Sequence, residues 1–236
     1  MLGAKIVIKR GGKDEAEKPF WISFSDLMTA LMVLFLVVMG VALLAVTKNV
    51  TEREKQEELH RQDIELILER FTEAAKHFDG IKIDKERRVI DFGDRARFAF
   101  GKSNLSVDQE NVLRQFVPEI LTLSNDELGK RVLKRIVVEG YTDKTGSYLS
   151  NLNLSLQRSQ RVLCTMFTNS GPYLLSNTQK LDVRSLFLVG GYSFNSSRDS
   201  DEESRRVEMR IEFLGIGEQR AGADATSENF GECALR

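Results

Sequence analysis

RIVVEGYTDKTGSYLSNLNLSLQR, residues 135–158, passes from a strand pattern through a short loop into a helix pattern. Arg135 to Glu139 is a short run with β-branched residues, Ile136 to Val138, at its centre. From Asn151 to Thr168 the apolar residues recur at helical spacing, and Asn169, Gly171 and Pro172 mark the end of that helix. Working outward toward the C-terminus, Ser185 to Gly190 and Arg206 to Phe213 each read as a further strand. In the other direction, Ser106 to Leu123 reads as a helix, with Ser106 as N-cap and Pro118 as a kink or break. Ile81 to Phe92 reads as a β-hairpin turning near Lys85–Arg87. The order β(β)αβαββ predicts an α/β domain over residues 80–215, its helices packed on one sheet face.

Within the opening stretch, Asp143 closes the strand's C-terminal loop and Arg158 lies on the following helix, with Asn151 near the helix start. A carboxylate, a guanidinium fork, an amide and open N–H groups at a helix N-terminus suit a zwitterionic ligand. Its ammonium would pair with Asp143 and its carboxylate with Arg158, whose fork fits a carboxylate bidentately. Equally, Asp143 and Arg158 can pair with each other and merely fix the loop.

The composition excludes several classes. The net charge is −1, which gives no electrostatic case for nucleic acid. His60 and His77 stand without C-x-x-C or H-x-x-x-H spacing, so no zinc site is expected. No Walker loop, nucleophile–base arrangement or cofactor motif appears, and no enzyme is expected. Cys164 and Cys233 permit a disulfide, within the chain or between subunits.

Upstream lies PFWISFSDLMTALMVLFLVVMGVALLAV, residues 19–46. The run is long enough to span a bilayer as one helix over residues 21–46. Asp26 lies inside it, roughly 10 Å along the helix from Pro19 at about 1.5 Å per residue. A carboxylate there costs about 3 kcal/mol on insertion scales and is tolerated chiefly where it faces protein or a wet cavity, as in ion pathways. The plainer alternative is an Asp that snorkels to the headgroups. Thr29, Ala30, Val33 and Val37 share its helix face, small or β-branched residues that permit close packing. Ser25 and Thr29 offer hydroxyls beside it.

Lys5, Lys9, Arg10, Lys13 and Lys18 predict a cytoplasmic arm over residues 1–20, with everything after the span exported. A cleaved signal peptide fits poorly, because the run is too long, contains Asp26 and lacks a small-x-small site before Thr47. Residues 47–79, free of Pro until the domain and rich in charge, predict a helical connector with Leu59, Ile64, Leu66, Ile67, Leu68 and Phe71 at helical spacings. It reads as a dimer contact, a gate or a spacer. The tail, residues 216–236, is expected to be loosely held unless Cys233 ties it down.

EGYTDKTGSYLSNLNLSLQRSQRV, with Phe98–Gly101 through Leu105, Gly190-Gly191-Tyr192 and Arg205-Arg206-Val207-Glu208, resembles the signature of OmpA-like peptidoglycan-binding domains. The resemblance runs from about Gly80 to Leu214, with Ser159 where Ala is frequent and Ser204 where Asn is frequent. It implies that Asp143 and Arg158 grip the diaminopimelate of a peptidoglycan stem peptide, with Asn151 and Thr142 lining the site. Trp21 and Phe24-Ser25-Asp26-Leu27-Met28-Thr29 resemble the span of MotB-type stator B subunits. The short connector and compact arm look most like the B subunits of Zorya anti-phage systems. These resemblances imply an inner-membrane protein with its C-terminal domain in the periplasm. They also imply a dimer inside a pentameric ring of multi-span A-type subunits, with Asp26 carrying H⁺, or Na⁺ by the same chemistry. The rival readings are a flagellar stator subunit, a passive peptidoglycan tether and an ExbD/TolR-type energy transducer. The OmpA-like signature counts against the last, and a peptidoglycan enzyme lacks an evident acid–base pair.

Overall fold

The structure is a computed structural model that describes residues 17–220 and 229–235, with residues 17–20 and 22 as backbone only. Most of the arm expected over residues 1–20, and residues 221–228 and 236 of the tail, lie outside the described residues. The chain divides into two compact units, Met1–Gln56 and Glu57–Arg236.

In the first unit the described residues belong to helix α1, Glu17–Ala75, whose later turns lie in the second unit. Pro19 falls in its first turn, where a missing N–H costs nothing, and no other Pro follows within the helix. The apolar side chains from Leu27 to Val46 are exposed on every side, Leu44 at 72%. A helix apolar all round needs an apolar surround, and this one is long and apolar enough to cross a membrane.

The second unit is an α/β domain. Strands β1 (Lys82–Asp84) and β2 (Val89–Asp91) form the expected hairpin. Helices α2 (Val107–Asn125) and α3 (Glu127–Val132) lead to β3 (Leu133–Gly140), and α4 (Tyr148–Phe167) and α5 (Asn177–Leu186) to β4 (Phe187–Gly191). A single turn, α6 (Asp201–Ser204), precedes β5 (Val207–Phe213). The sheet order is β1-β2-β5-β3-β4, antiparallel except for the β3–β4 pair. Alternation sorts the two faces. Ile136 and Val138 of β3, with Val207, Met209 and Ile211 of β5, join the core, while Glu139, Glu208 and Arg210 point the other way. Helix α4 approaches the sheet closely enough that a Cβ on Gly140 would lie 1.9 Å from the carbonyl oxygen of Ser155.

Ser106 caps α2 through a capping box with Gln109, as the sequence suggested, and α2 runs through Pro118 without a break. Helices α3 and α5 and the single turn α6 are additional to the expected order. The larger correction concerns the connector. Ile67, Leu68, Phe71 and Ala75 are buried in the domain core, and Ile64 packs against it. Burying each of the larger side chains contributes about 1.5–3 kcal/mol, so residues 64–75 are part of the domain and most of the stripe is covered there, while Leu59 and Leu66 stay exposed. His60 Nε2 lies 2.9 Å from the carbonyl oxygen of Leu214, and Arg131 grips Asp63 through two bonds.

The near part of the tail is held as well. Arg220 donates to the carbonyls of Ser124, Gly129 and Leu133. Cys164 and Cys233 form a disulfide in this structure, and Phe230 lies against Phe167 with ring centroids 5.1 Å apart.

Candidate functional site

The loop after β3 is shaped by its own polar side chains. Asp143 Oδ1 accepts from Thr145 N, and Asn151 Nδ2 donates to the carbonyl of Thr145. Ser147 caps α4, and Gly146, at φ +101°, makes the turn just before the cap. On the far side, Thr142 N donates to the carbonyl of Ser193. Thr142, Asp143, Asn151 and Arg158 are thereby gathered, all buried, at one corner between the end of β3 and α4.

Their partners differ from either sequence reading. Asp143 pairs with Arg205, whose Nη1 lies 3.2 Å from Asp143 Oδ2, and not with Arg158. The Arg158 fork is spread over three backbone carbonyls, those of Tyr141 at 2.6 Å, Lys102 at 2.9 Å and Ala99 at 3.3 Å. The guanidinium also lies 5.0 Å from the ring centroid of Phe98. Arg158 is wholly buried, and burial brings its pKa down to about 10, with the charge of Asp143 acting against the shift. It therefore stays charged at neutral pH. Ligand access to this fork requires the segment carrying Ala99 and Lys102 to yield carbonyls to it. Arg205, 18% exposed, presents a guanidinium nearer the surface and ties Asp143 to the carbonyl of Phe98. The site thus holds one carboxylate between two guanidinium groups, a charge balance suited to a ligand with more acid than amine. Thr142 Oγ1 is buried there without a hydrogen-bond partner, a polar group that a ligand would satisfy.

The sequence motif Arg205-Arg206-Val207-Glu208 is explained by the sheet behind the site. Arg206 lies 4.3 Å from the ring centroid of Tyr141 and 2.7 Å from Glu208. Glu208 is wholly buried and is also held by Arg87 and Arg198. Burial alone would raise its pKa, but the bond and charge from Arg206 and Arg87 carry it below the usual range. Glu139, opposite Glu208 across the β3–β5 ladder, accepts from Arg210 and from the Tyr141 hydroxyl. Burial and that carboxylate hold the Tyr141 phenol well above its ordinary pKa. These pairs fix the backbone of Tyr141, whose carbonyl positions Arg158. Ser159 and Ser204, the two departures from the usual pattern, spend their hydroxyls on nearby backbone, Ser155 and Leu156 for one and Ser200 for the other.

In the first unit, Asp26, Thr29, Ala30, Val33, Leu34, Val37 and Val38 line one shallow groove along α1. Thr29 Oγ1 donates to the carbonyl of Ser25, which leaves its lone pairs facing outward. No Lys or Arg occurs between residues 21 and 46 to neutralise Asp26.

Arg205 completes the site, and its only signal in the sequence is the motif Arg205-Arg206-Val207-Glu208. Among known proteins, residues 97–229 match the OmpA family. Residues 8–57 match the family described as membrane MotB of the proton-channel complex MotA/MotB. A Zorya protein ZorB from Escherichia coli O139:H28 is 44% identical over 95% of this chain and 92% of its own length.

The chain belongs to the Zorya protein ZorB family.

A second ZorB, from Escherichia coli strain Crooks, is 24% identical over 88% of this chain and 93% of that protein. The solved periplasmic domain of Helicobacter pylori MotB is a looser likeness, 17% identical over 52% of this chain and 80% of that one, at a TM-score of 0.38. As a ZorB-family chain that joins a MotB-type segment to an OmpA-family domain, it is a structural protein and not an enzyme.

Proposed function

We propose that this chain is the peptidoglycan-anchored B subunit of an ion-driven inner-membrane motor used in Zorya anti-phage defence. Two copies sit within a ring of five multi-span A-type subunits, with the N-terminus cytoplasmic and the OmpA-family domain in the periplasm. Asp26 carries the proton, and Ser25 and Thr29 hydrate or relay it. Protonation removes a charge from an apolar surround and ionisation restores it. Each passage can thus bias the A ring between two positions, provided those positions differ in their affinity for the charged form. The domain holds the subunit still. The stem peptide's ammonium meets Asp143 and its carboxylates meet Arg158, with Thr142 and Asn151 lining the site.

One observation carries this reading: a single chain of the ZorB family joins an uncompensated carboxylate on an apolar, MotB-type helix to a domain of the OmpA family. The deciding experiment compares wild type, Asp26→Asn, and Asp143→Ala with Arg158→Ala, each expressed with its native neighbouring genes. Phage plating and swarming are scored together. Loss of protection in both variants at normal protein level supports a wall-anchored, ion-driven defence motor. Full protection by Asp26→Asn makes the passive tether the better account. A motility defect without a change in phage sensitivity makes it a flagellar stator subunit.

A further inference from the structure

The two edges of the sheet are built differently. Edge strand β1 is three residues long and carries Lys82 and Asp84, charges that discourage pairing with another chain. Edge strand β4, Phe187-Leu188-Val189-Gly190-Gly191, has no charge, no Pro and no bulge. Among the described residues, nothing pairs with its outer side. Leu188 is 46% exposed and Val189 39%. Tyr192 follows at 37%, and Leu156 of α4, 41% exposed, lies against Gly191.

The backbone groups on that edge can be assigned. Tyr192 N donates inward to Gly140, so by alternation Gly190 and Leu188 also face β3, while Phe187, Val189 and Gly191 face outward. The Phe187 N–H is already spent on the carbonyl of Val183. The open groups are therefore those of Val189 and Gly191, with the carbonyl of Phe187.

We propose that the free edge of β4, with the apolar surface of α4 around Leu156, is where a second copy of this chain docks, by antiparallel pairing of the two β4 strands about Val189. The strand is complementary to itself in that register. Each Val189 exchanges both backbone bonds with the second copy's Val189, and each Gly191 N–H meets the second copy's Phe187 carbonyl. Leu188 falls opposite Gly190, where the ring of Tyr192 lies 3.1 Å from the place a Cβ would take, so each Leu188 meets an aromatic ring on either side of the two-fold axis. The missing Phe187 N–H leaves only the Gly191 carbonyl without a partner. The edge carries no charge to repel its own copy, and pairing covers the apolar residues that a lone domain leaves in water.

This inference rests on the reading that two copies work together, and the experiment separates the two. The full-length chain is expressed with its neighbouring genes, carrying Val189→Cys, Leu188→Cys or, in the apolar helix, Val37→Cys. Membranes are treated with an oxidant and run on non-reducing gels beside wild type. Val189→Cys should give a dimer band, since hydrogen-bonded antiparallel pairs lie at about 5.5 Å between Cα atoms, within disulfide range. Leu188→Cys should give far less, because Leu188 faces Gly190 and not itself. A dimer through Val37→Cys but none through Val189→Cys, at equal protein level, overturns the β4 interface and leaves the two-copy reading standing. No dimer from any position overturns both. A Val189→Cys product of a mass other than twice the chain also overturns the proposal, because another protein then occupies the edge.

Discussion

Glu139 and Glu208 face each other across β3 and β5, wholly buried, Glu139 held by one guanidinium of its own chain and Glu208 by three. Asp26 lies on an apolar helix in a stretch, residues 21–46, that offers no cation at all. The first arrangement is how a fold keeps a charge it has buried: Arg206, Arg87 and Arg198 converge on Glu208, and Arg210 on Glu139. The second has no counter-charge in its own stretch, and under the proposed function an ion or another subunit supplies it. Asp143 stands between them, paired with Arg205 yet next to an unsatisfied Thr142 hydroxyl. A charge that serves the fold finds its counter-ion in the same sequence, and a charge that serves function need not.

The sharpest break of that comparison is Asp26→Asn against Arg206→Ala. Asp26→Asn should abolish phage protection entirely while the thermal unfolding of the full-length protein, followed by circular dichroism in detergent, stays where it was. Arg206→Ala should do the reverse in kind, lowering stability by about 3 kcal/mol, because it strips a partner from a buried carboxylate. Its loss also removes the stacking on Tyr141 and the bonds to the carbonyl of Ser196. A destabilised Asp26→Asn, or an unaffected Arg206→Ala, would dissolve the distinction.

A smaller effect tests the middle case. Arg158→Lys keeps the charge but cannot reach the carbonyls of Ala99, Lys102 and Tyr141 together. The expected cost is about 1–3 kcal/mol of stability from the abandoned carbonyls. Retention of the full-length protein on purified peptidoglycan should fall with it. Arg205→Lys should reduce the same retention with a smaller loss of stability, since Arg205 is partly exposed and spends its fork on one carboxylate and one carbonyl. Equal retention by both variants and wild type would remove this corner from the binding surface.

Much of this was legible in the sequence because it is local. The hairpin before residue 92, the Ser106 cap, the strand at residues 135–139 and the helix bearing Arg158 all follow from periodicity and capping within a dozen residues. The clustering of Thr142, Asp143, Asn151 and Arg158 followed from one strand–loop–helix unit. What was not legible depends on distant pairing. Arg205 reaches Asp143 across 62 residues, and no spacing rule links them. The stripe Ile64, Ile67, Leu68 and Phe71 reads the same whether it packs on a second helix or on its own domain, and only the core shows which. Helix α5 hid because Leu181, Val183 and Leu186 are too few among polar residues to establish a period.

The gentlest test of the comparison is acid. The carboxyls of Glu208 and Asp91 are held below their usual range: burial opposes this in each, but Arg206 and Arg87 outweigh it for the first, and Arg198 and the Gly93 amide for the second. In the unfolded chain these groups return to ordinary values, so that state binds more protons in the window between the two pKa values. Their contribution is therefore fully present above the unfolded pKa, about 4 for such carboxyls, and is lost as pH falls through the folded one, at about 1.4 kcal/mol per unit of difference. The melting temperature of the full-length protein should hold level from pH 7 to about 5 and decline below it. Glu208→Gln should melt lower at pH 7 yet decline less steeply in acid, because one of the protons that drive the loss is gone. An acid limb that Glu208→Gln leaves unchanged would mean that its guanidinium partners do not stabilise the fold through charge, and the contrast with Asp26 would then rest on position alone.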